Sequence, residues 1–189
     1  MPIFVLRHER RFSSPKFFSS LTPKGLENSN LLVTKIKDLQ IDEIFCSPFL
    51  RTIQTITPYV KETNQKINIE YALYEAVKQN TFTNDDYLHS YEELFDMESD
   101  YKNLINSHYI SFFHPKNIDF PENLDKIYLR IVPFLENLKK YSENKNVLLV
   151  THMTTALMIK EYLVNNLQLT CDKDPSGKLF PMGHVERVF

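Results

Sequence analysis

The chain has 189 residues, 42% of them apolar and 13% aromatic, and contains no low-complexity tract, which excludes disordered and fibrous classes and fits one globular domain with its own core. Its 22 basic and 24 acidic residues leave a formal charge of −2, so no global field marks it for nucleic acid or an anionic membrane surface, and any cationic site has to be local. The run Met1-Pro2-Ile3-Phe4-Val5-Leu6 is too short for a signal peptide, no stretch is long enough to span a bilayer, and the distant cysteines Cys46 and Cys171 read as free thiols, so the expected location is cytoplasmic.

Ile3-Phe4-Val5-Leu6 is apolar and runs straight into Arg7-His8, the pattern of a buried strand whose carboxyl end opens into a site. Leu21-Thr22-Pro23 supplies an N-cap threonine and a first-turn proline, which predicts a helix from about Pro23 to Asp38 with Leu26, Val33 and Ile36 buried. Asp42 to Cys46 reads as a second strand. Ser47-Pro48 then caps a second helix with Phe49, Ile53, Ile56 and Val60 on its inner face and Pro58 as a kink or an end. Lys66 to Glu70 alternates like a third strand, and Asn146 to Thr151 is the clearest strand of all, followed by a helix from about Thr154 to Asn165. Between about Ala76 and Pro121 the periodicity weakens and Tyr, Phe, Asp and Asn accumulate, which predicts an inserted lid within a single domain spanning residues 1–189. Its aromatics Tyr87, Tyr91, Phe95, Tyr101, Tyr109, Phe112 and Phe113 are packing by default, with some available to line a pocket for an aromatic or apolar leaving group.

Strands alternating with helices imply right-handed βαβ units and an α/β fold, a three-layer α/β/α sandwich around a largely parallel central sheet. Ligands in such sheets bind beyond the carboxyl ends of the strands. Arg7-His8, Arg51 and His152 all fall there.

Four motifs recur in order: Arg7-His8 after an apolar strand, Leu21-Thr22-Pro23-Lys24-Gly25, the Ser-x-x-x-Arg-x-x-x-Thr run from Ser47 to Thr55, and Val150-Thr151-His152. In type and spacing the chain resembles the histidine phosphatase, or phosphoglycerate mutase-like, superfamily over residues 2–75 and 145–160. The resemblance implies a phosphoglycerate mutase-like fold and a metal-independent phosphatase that hydrolyses phosphate monoesters through a phosphohistidine. It casts His8 as the nucleophile, and Arg7, Arg51 and His152 as the groups that neutralise the transferring phosphoryl oxygens. Glu75 becomes the general acid and later the base, and Arg11 a further phosphate ligand. No cofactor and no metal are called for. The expected partner is a phosphorylated small molecule or a phosphoprotein, and a homodimer is compatible with the reading. The chemistry agrees: imidazole attacks only when neutral, neighbouring guanidiniums hold it neutral, and arginine grips phosphate bidentately.

The chain also departs from the family pattern. Glu9 stands where the family has glycine, beside the site of a dianion. Either its carboxylate turns away and pairs with Arg10 or Arg11, or the phosphate site is altered. A one-residue deletion would instead make Arg10 the matching arginine. Met153-Thr154-Thr155 replaces small residues after His152, and Pro121-Glu122-Asn123-Leu124 with Arg130 lacks the Gly-Gly-Glu-Ser core of the corresponding segment. An Arg-Arg-Tyr-Gly run is absent, so mutase activity is not expected. Ser14 reads as solvated, and His89, His108, His114 and His184 as surface or lid residues without metal-like spacing. Two competitors follow: a catalytically impaired family member that binds a phosphorylated ligand or protein partner, and a metal-dependent hydrolase with His8 and His152 as ligands, against which the flanking arginines stand.

Overall fold

The computed structural model describes residues 1–83, 87–165 and 180–189. Its sheet contains β1 (Ile3–Arg7), β2 (Glu43–Cys46), β3 (Ile67–Ile69), β4 (Val147–Thr151) and β5 (Val185–Arg187) in the order β3-β2-β4-β1-β5, with only β5 antiparallel. Around it lie α1 (Pro23–Lys37), α2 (Leu50–Thr63), the short α3 (Asp100–Leu104), α4 (Leu124–Tyr141) and α5 (Met153–Asn165).

The strict two-residue alternation of the strands splits the core in two. Phe4, Leu6, Ile44, Cys46, Leu148 and Val150 pack with residues of α1 and α2, whereas Ile3, Val5, Phe45, Val147 and Leu149 pack with residues of α4 and α5. Strands buried on both faces need apolar residues at every position, which is why β1 and β4 are unbroken apolar runs. The result is the expected three-layer sandwich.

Helix α1 starts as its sequence directs: Thr22 accepts the Gly25 amide through its side chain, with Pro23 in the first turn. Its buried face is rotated from the expected one. Leu26 is 44% exposed, and Gly25, Ser29, Leu32, Val33 and Ile36 face inward. The cause is a close approach, because a Cβ on Gly25 would lie 2.1 Å from the Arg10 carbonyl oxygen.

Helix α2 begins at Leu50 rather than at Pro48, and Pro58 neither ends nor divides it; the helix runs on to Thr63. The inner-face residues Phe49, Ile53, Ile56 and Val60 are buried as expected. Three named elements were not anticipated, the five-residue α3, the 18-residue α4 and the three-residue β5.

Between β3 and α4 the described residues form α3, short turns and 3-10 helices, and Phe82, Leu94, Tyr101, Ile105 and Ile118 enter the α1–α2 core. No helix among the described residues is long and apolar enough to cross a membrane. Cys46 is a buried free thiol whose pKa burial pushes up, and Cys171 lies outside the described residues.

Candidate active site

Parallel pairing of β1 with β4 sets Arg7 opposite Thr151, so the residues that follow, His8 and His152, leave the sheet side by side. Their rings stand edge to face with centroids 5.3 Å apart, and both are buried. Helix α2 starts beyond β2, one strand over, and its first turn delivers Arg51, fully buried, with its guanidinium 4.3 Å from the Phe49 ring centroid.

Glu75 follows the 3-10 turn Tyr71–Leu73 and completes the cluster. Its Oε2 lies 3.3 Å from Arg51 Nη2 and 3.3 Å from His152 Nδ1, and its Oε1 accepts the Ala76 amide. One side-chain N or O atom from each of His8, Glu75 and His152 falls within 4.8 Å of the others. Arg7 sends Nη1 to the Phe180 carbonyl at 2.6 Å. Arg11 lines a cleft with Glu75, and its Nη1 donates to the Phe12 and Ser13 carbonyls.

Hydrogen bonding assigns the imidazole protons. His8 Nδ1 lies 2.7 Å from the Glu9 carbonyl oxygen. A carbonyl can only accept, so Nδ1 carries the hydrogen and Nε2 keeps its lone pair. Burial, and after it the Arg51 charge, hold the His8 pKa well below its usual value, so the ring is neutral at neutral pH. His152 is depressed in the same way by burial first and Arg51 second. Its Nε2 pairs with Ser47 Oγ at 2.8 Å, while Nδ1 has no hydrogen-bond partner despite the nearby Glu75 oxygen. A neutral ring that accepts the Ser47 hydroxyl at Nε2 presents Nδ1–H as a free donor.

Arg7 Nε and Arg51 Nε are likewise buried without partners. Unmet buried donors are costly, and three on neighbouring cationic or polar groups make a cup suited to an anion. Burial lowers the Arg51 pKa to about 10, which still leaves it charged at neutral pH. The N-terminal ends of α2 and α5 add positive potential beside Arg51 and His152.

The Glu9 carboxylate turns away from the cup. Oε2 accepts the Arg10 amide at 3.1 Å and the Asn28 side-chain amide at 3.3 Å, and Oε1 sits so close to Gly183 that a Cβ there would lie 1.8 Å from it. Its partners are thus a backbone amide and an asparagine rather than a neighbouring guanidinium. Arg10 and Ser14 are exposed. His108 and His114 are exposed as expected, whereas His89 is partly buried with its ring against Phe17 and Phe18, and His184 packs on Phe180. The aromatics of the inserted segment do not line the cleft beside Glu75: Tyr101 is core, and Tyr91, Tyr109 and Phe113 line a separate cavity of about 580 Å³.

Several supporting residues carried only a weak sequence signal. Ser47 and Thr55 belong to the Ser-x-x-x-Arg-x-x-x-Thr motif, yet their work is tertiary: Ser47 orients His152, and Thr55 Oγ1 accepts the Glu9 amide. The contacts of Phe180 and Gly183 with Arg7 and His8 had no local signal at all.

The sequence matches the profile of the histidine phosphatase superfamily (branch 1) over residues 7–170, and the chain belongs to that family. No protein of curated function matches it. Among solved structures it is similar to an ecdysone phosphate phosphatase from Bombix mori in complex with tungstate, at TM-score 0.70 and 16% identity, over 97% of this chain and 87% of that one. An alpha-ribazole phosphatase from Shigella flexneri aligns at TM-score 0.66 and 18% identity over 98% and 88%. A mycobacterial glucosyl-3-phosphoglycerate phosphatase in complex with VO3 aligns at TM-score 0.67 and 12% identity over 97% and 90%. Identity at this level establishes the common fold, a mixed α/β layer structure.

Proposed function

We propose that this protein is a metal-independent phosphomonoesterase that works through a phosphohistidine on His8. The observation that carries the reading is the His8 tautomer: with Nδ1–H given to the Glu9 carbonyl, the Nε2 lone pair remains among Arg7, Arg51 and His152, which offer unpaired donors. Nε2 attacks phosphorus as the ester P–O bond breaks, and Glu75 passes its proton to the departing oxygen. In the second half Glu75 takes a proton from water, that water attacks phosphorus, the P–N bond breaks, and inorganic phosphate leaves. Arg7, Arg51, His152 and Arg11 stabilise charge on the phosphoryl oxygens throughout, the main demand of this chemistry. The binding of tungstate and VO3 by two proteins of this fold supports an oxyanion cup.

His8, Glu75 and His152 would also suit a metal by type and spacing. The metal reading is disfavoured because Arg51 lies 3.3 Å from Glu75, where a second cation would be repelled. The impaired-binder reading began with Glu9, and its carboxylate faces Asn28 and Gly183 instead of the cup. We place the enzyme in the cytoplasm as a single domain acting on phosphorylated small molecules or phosphoproteins, with residues 76–121 as its lid.

The test is hydrolysis of phenyl phosphate by the purified protein in EDTA, with acid-labile, base-stable phosphate trapped on His8. His8→Ala should abolish both turnover and trapping while the fold persists. Activity that vanishes with chelator, or survives His8→Ala, overturns the proposal.

A further inference from the structure

In-line displacement puts the leaving oxygen on the side of phosphorus away from His8, within reach of Glu75. Whatever else the substrate carries must therefore extend past Glu75. The space there is a cleft of about 300 Å³, also lined by Arg11, Pro15, Ala76, Lys78, Asn80, Thr81 and Thr154. Among the described residues of its lining only Pro15 and Ala76 are apolar, and both are small. The volume equals that of roughly ten waters at about 30 Å³ each, enough for a leaving group of a few carbons.

The charge of this cleft is unbalanced. Arg11 and Lys78 are cationic, and Glu75 is the one carboxylate among the described residues of its lining. When Glu75 holds the proton it will donate, the described residues of the lining carry no negative charge, and with Arg11 turned to the phosphoryl oxygens Lys78 is the cation left for the leaving group. Arg11 is held against the Phe12 and Ser13 carbonyls, close to the phosphoryl cup. Lys78 lines the same cleft and pairs with no carboxylate among the described residues. A neutral leaving group would desolvate that ammonium without compensation, whereas an anionic one complements it.

We propose that the leaving group of the natural substrate bears an anionic group of its own, received by the Lys78 ammonium in the cleft beside Glu75. The inference rests on the assignment of His8 and Glu75 as nucleophile and acid, and it makes Lys78 the specificity-determining residue. It points to small, doubly anionic phosphate esters and away from aromatic or steroid-like alcohols.

The probes are 2-carboxyethyl phosphate and its neutral isostere 2-carbamoylethyl phosphate, which share length and ester chemistry. At low ionic strength kcat/KM should favour the carboxylate by about tenfold, and Lys78→Gln should bring the ratio to within about twofold of one. A native ratio of one or less, or a ratio unchanged by Lys78→Gln, overturns the inference. If phenyl phosphate is still hydrolysed in a His8-dependent manner, either of those results leaves the phosphatase assignment standing. Failure to hydrolyse any of the three esters removes both.

Discussion

Arg130 and Glu122 form a buried bidentate ion pair, with Nε 2.7 Å from Oε1 and Nη2 3.0 Å from Oε2, and both residues also grip the short segment that carries Glu75. Arg130 donates to the Ala72 and Glu75 carbonyls, and Glu122 accepts the Val77 amide. Thr151 and Thr155 hold the Leu73 and Tyr74 carbonyls between them. Glu75 thus projects from a backbone fixed at nearly every residue.

Removing one partner of such a pair strands the other charge, so Arg130→Met should cost about 3–5 kcal/mol of stability in urea denaturation. Arg130→Lys keeps the charge but loses the planar fork, and it should fold while lowering kcat about tenfold with KM within about twofold. A normal kcat in a folded Arg130→Lys enzyme would show that this clamp does not position Glu75.

Glu75→Gln tests the proposed acid. Its amide cannot release a proton, so kcat should fall by about 10²–10⁴ for an alkyl phosphate, whose leaving alkoxide needs protonation. For 4-nitrophenyl phosphate, whose leaving group departs as a stable phenolate, the loss in the phosphorylation step should be far smaller, read as a burst of nitrophenol. Equal losses for both esters would rule out Glu75 as the proton donor.

Under the proposed mechanism the depressed histidines set the acid side of the pH profile. As the proposed nucleophile His8 must be neutral, and burial with the Arg51 charge keeps it neutral well below its ordinary 6.5, so the acid limb of kcat/KM should fall below pH 6.5. Arg51→Met removes the largest charge acting on His8, and the limb should move upward in pH whatever the loss of rate. Stability follows the same sign. Unfolded imidazoles take up protons near pH 6.5 while the folded ones do not, so the contribution of neutral His8 and His152 is complete above pH 6.5 and is lost as pH falls toward their folded values. Denaturation series between pH 7 and 5 should show a shallower decline for His152→Gln than for the native chain.

What could be read in the sequence is what depends on local pattern. β1 and β4 are legible because strands buried on both faces must be apolar throughout, and His8 and His152 are legible because each ends such a run. Leu26 is misleading because the face of α1 is set by a tertiary approach at Gly25, which no helical periodicity encodes. Helix α4 is obscured by Pro133 within it and by Arg130 on its buried face, and Arg130 is accounted for only once Glu122 and the Glu75 segment lie beside it. β5 is three residues long, Val185-Glu186-Arg187, and exists through pairing with β1. The cleft that supports the substrate inference draws on residues as far apart as Arg11, Lys78 and Thr154, an assembly made by topology alone.

Glu9 left two alternatives open in the sequence, a carboxylate turned away or an altered phosphate site, and its contacts with the Arg10 amide and Asn28 favour the first. Because the carboxylate faces Asn28 and Gly183, Glu9→Gly should change kcat/KM by less than about threefold, and should cost about 1 kcal/mol through its lost hydrogen bonds. Gly183 has φ of +64° as well as the Glu9 oxygen against it, so Gly183→Ala combines backbone strain with displacement of Glu9. In the Glu9→Gly background only the strain remains, and the double mutant should be more stable than the sum of the single effects by about 1 kcal/mol. Strict additivity would mean that Glu9 does not occupy the space above Gly183, and a large gain in rate from Glu9→Gly would mean that the carboxylate reaches the cup after all.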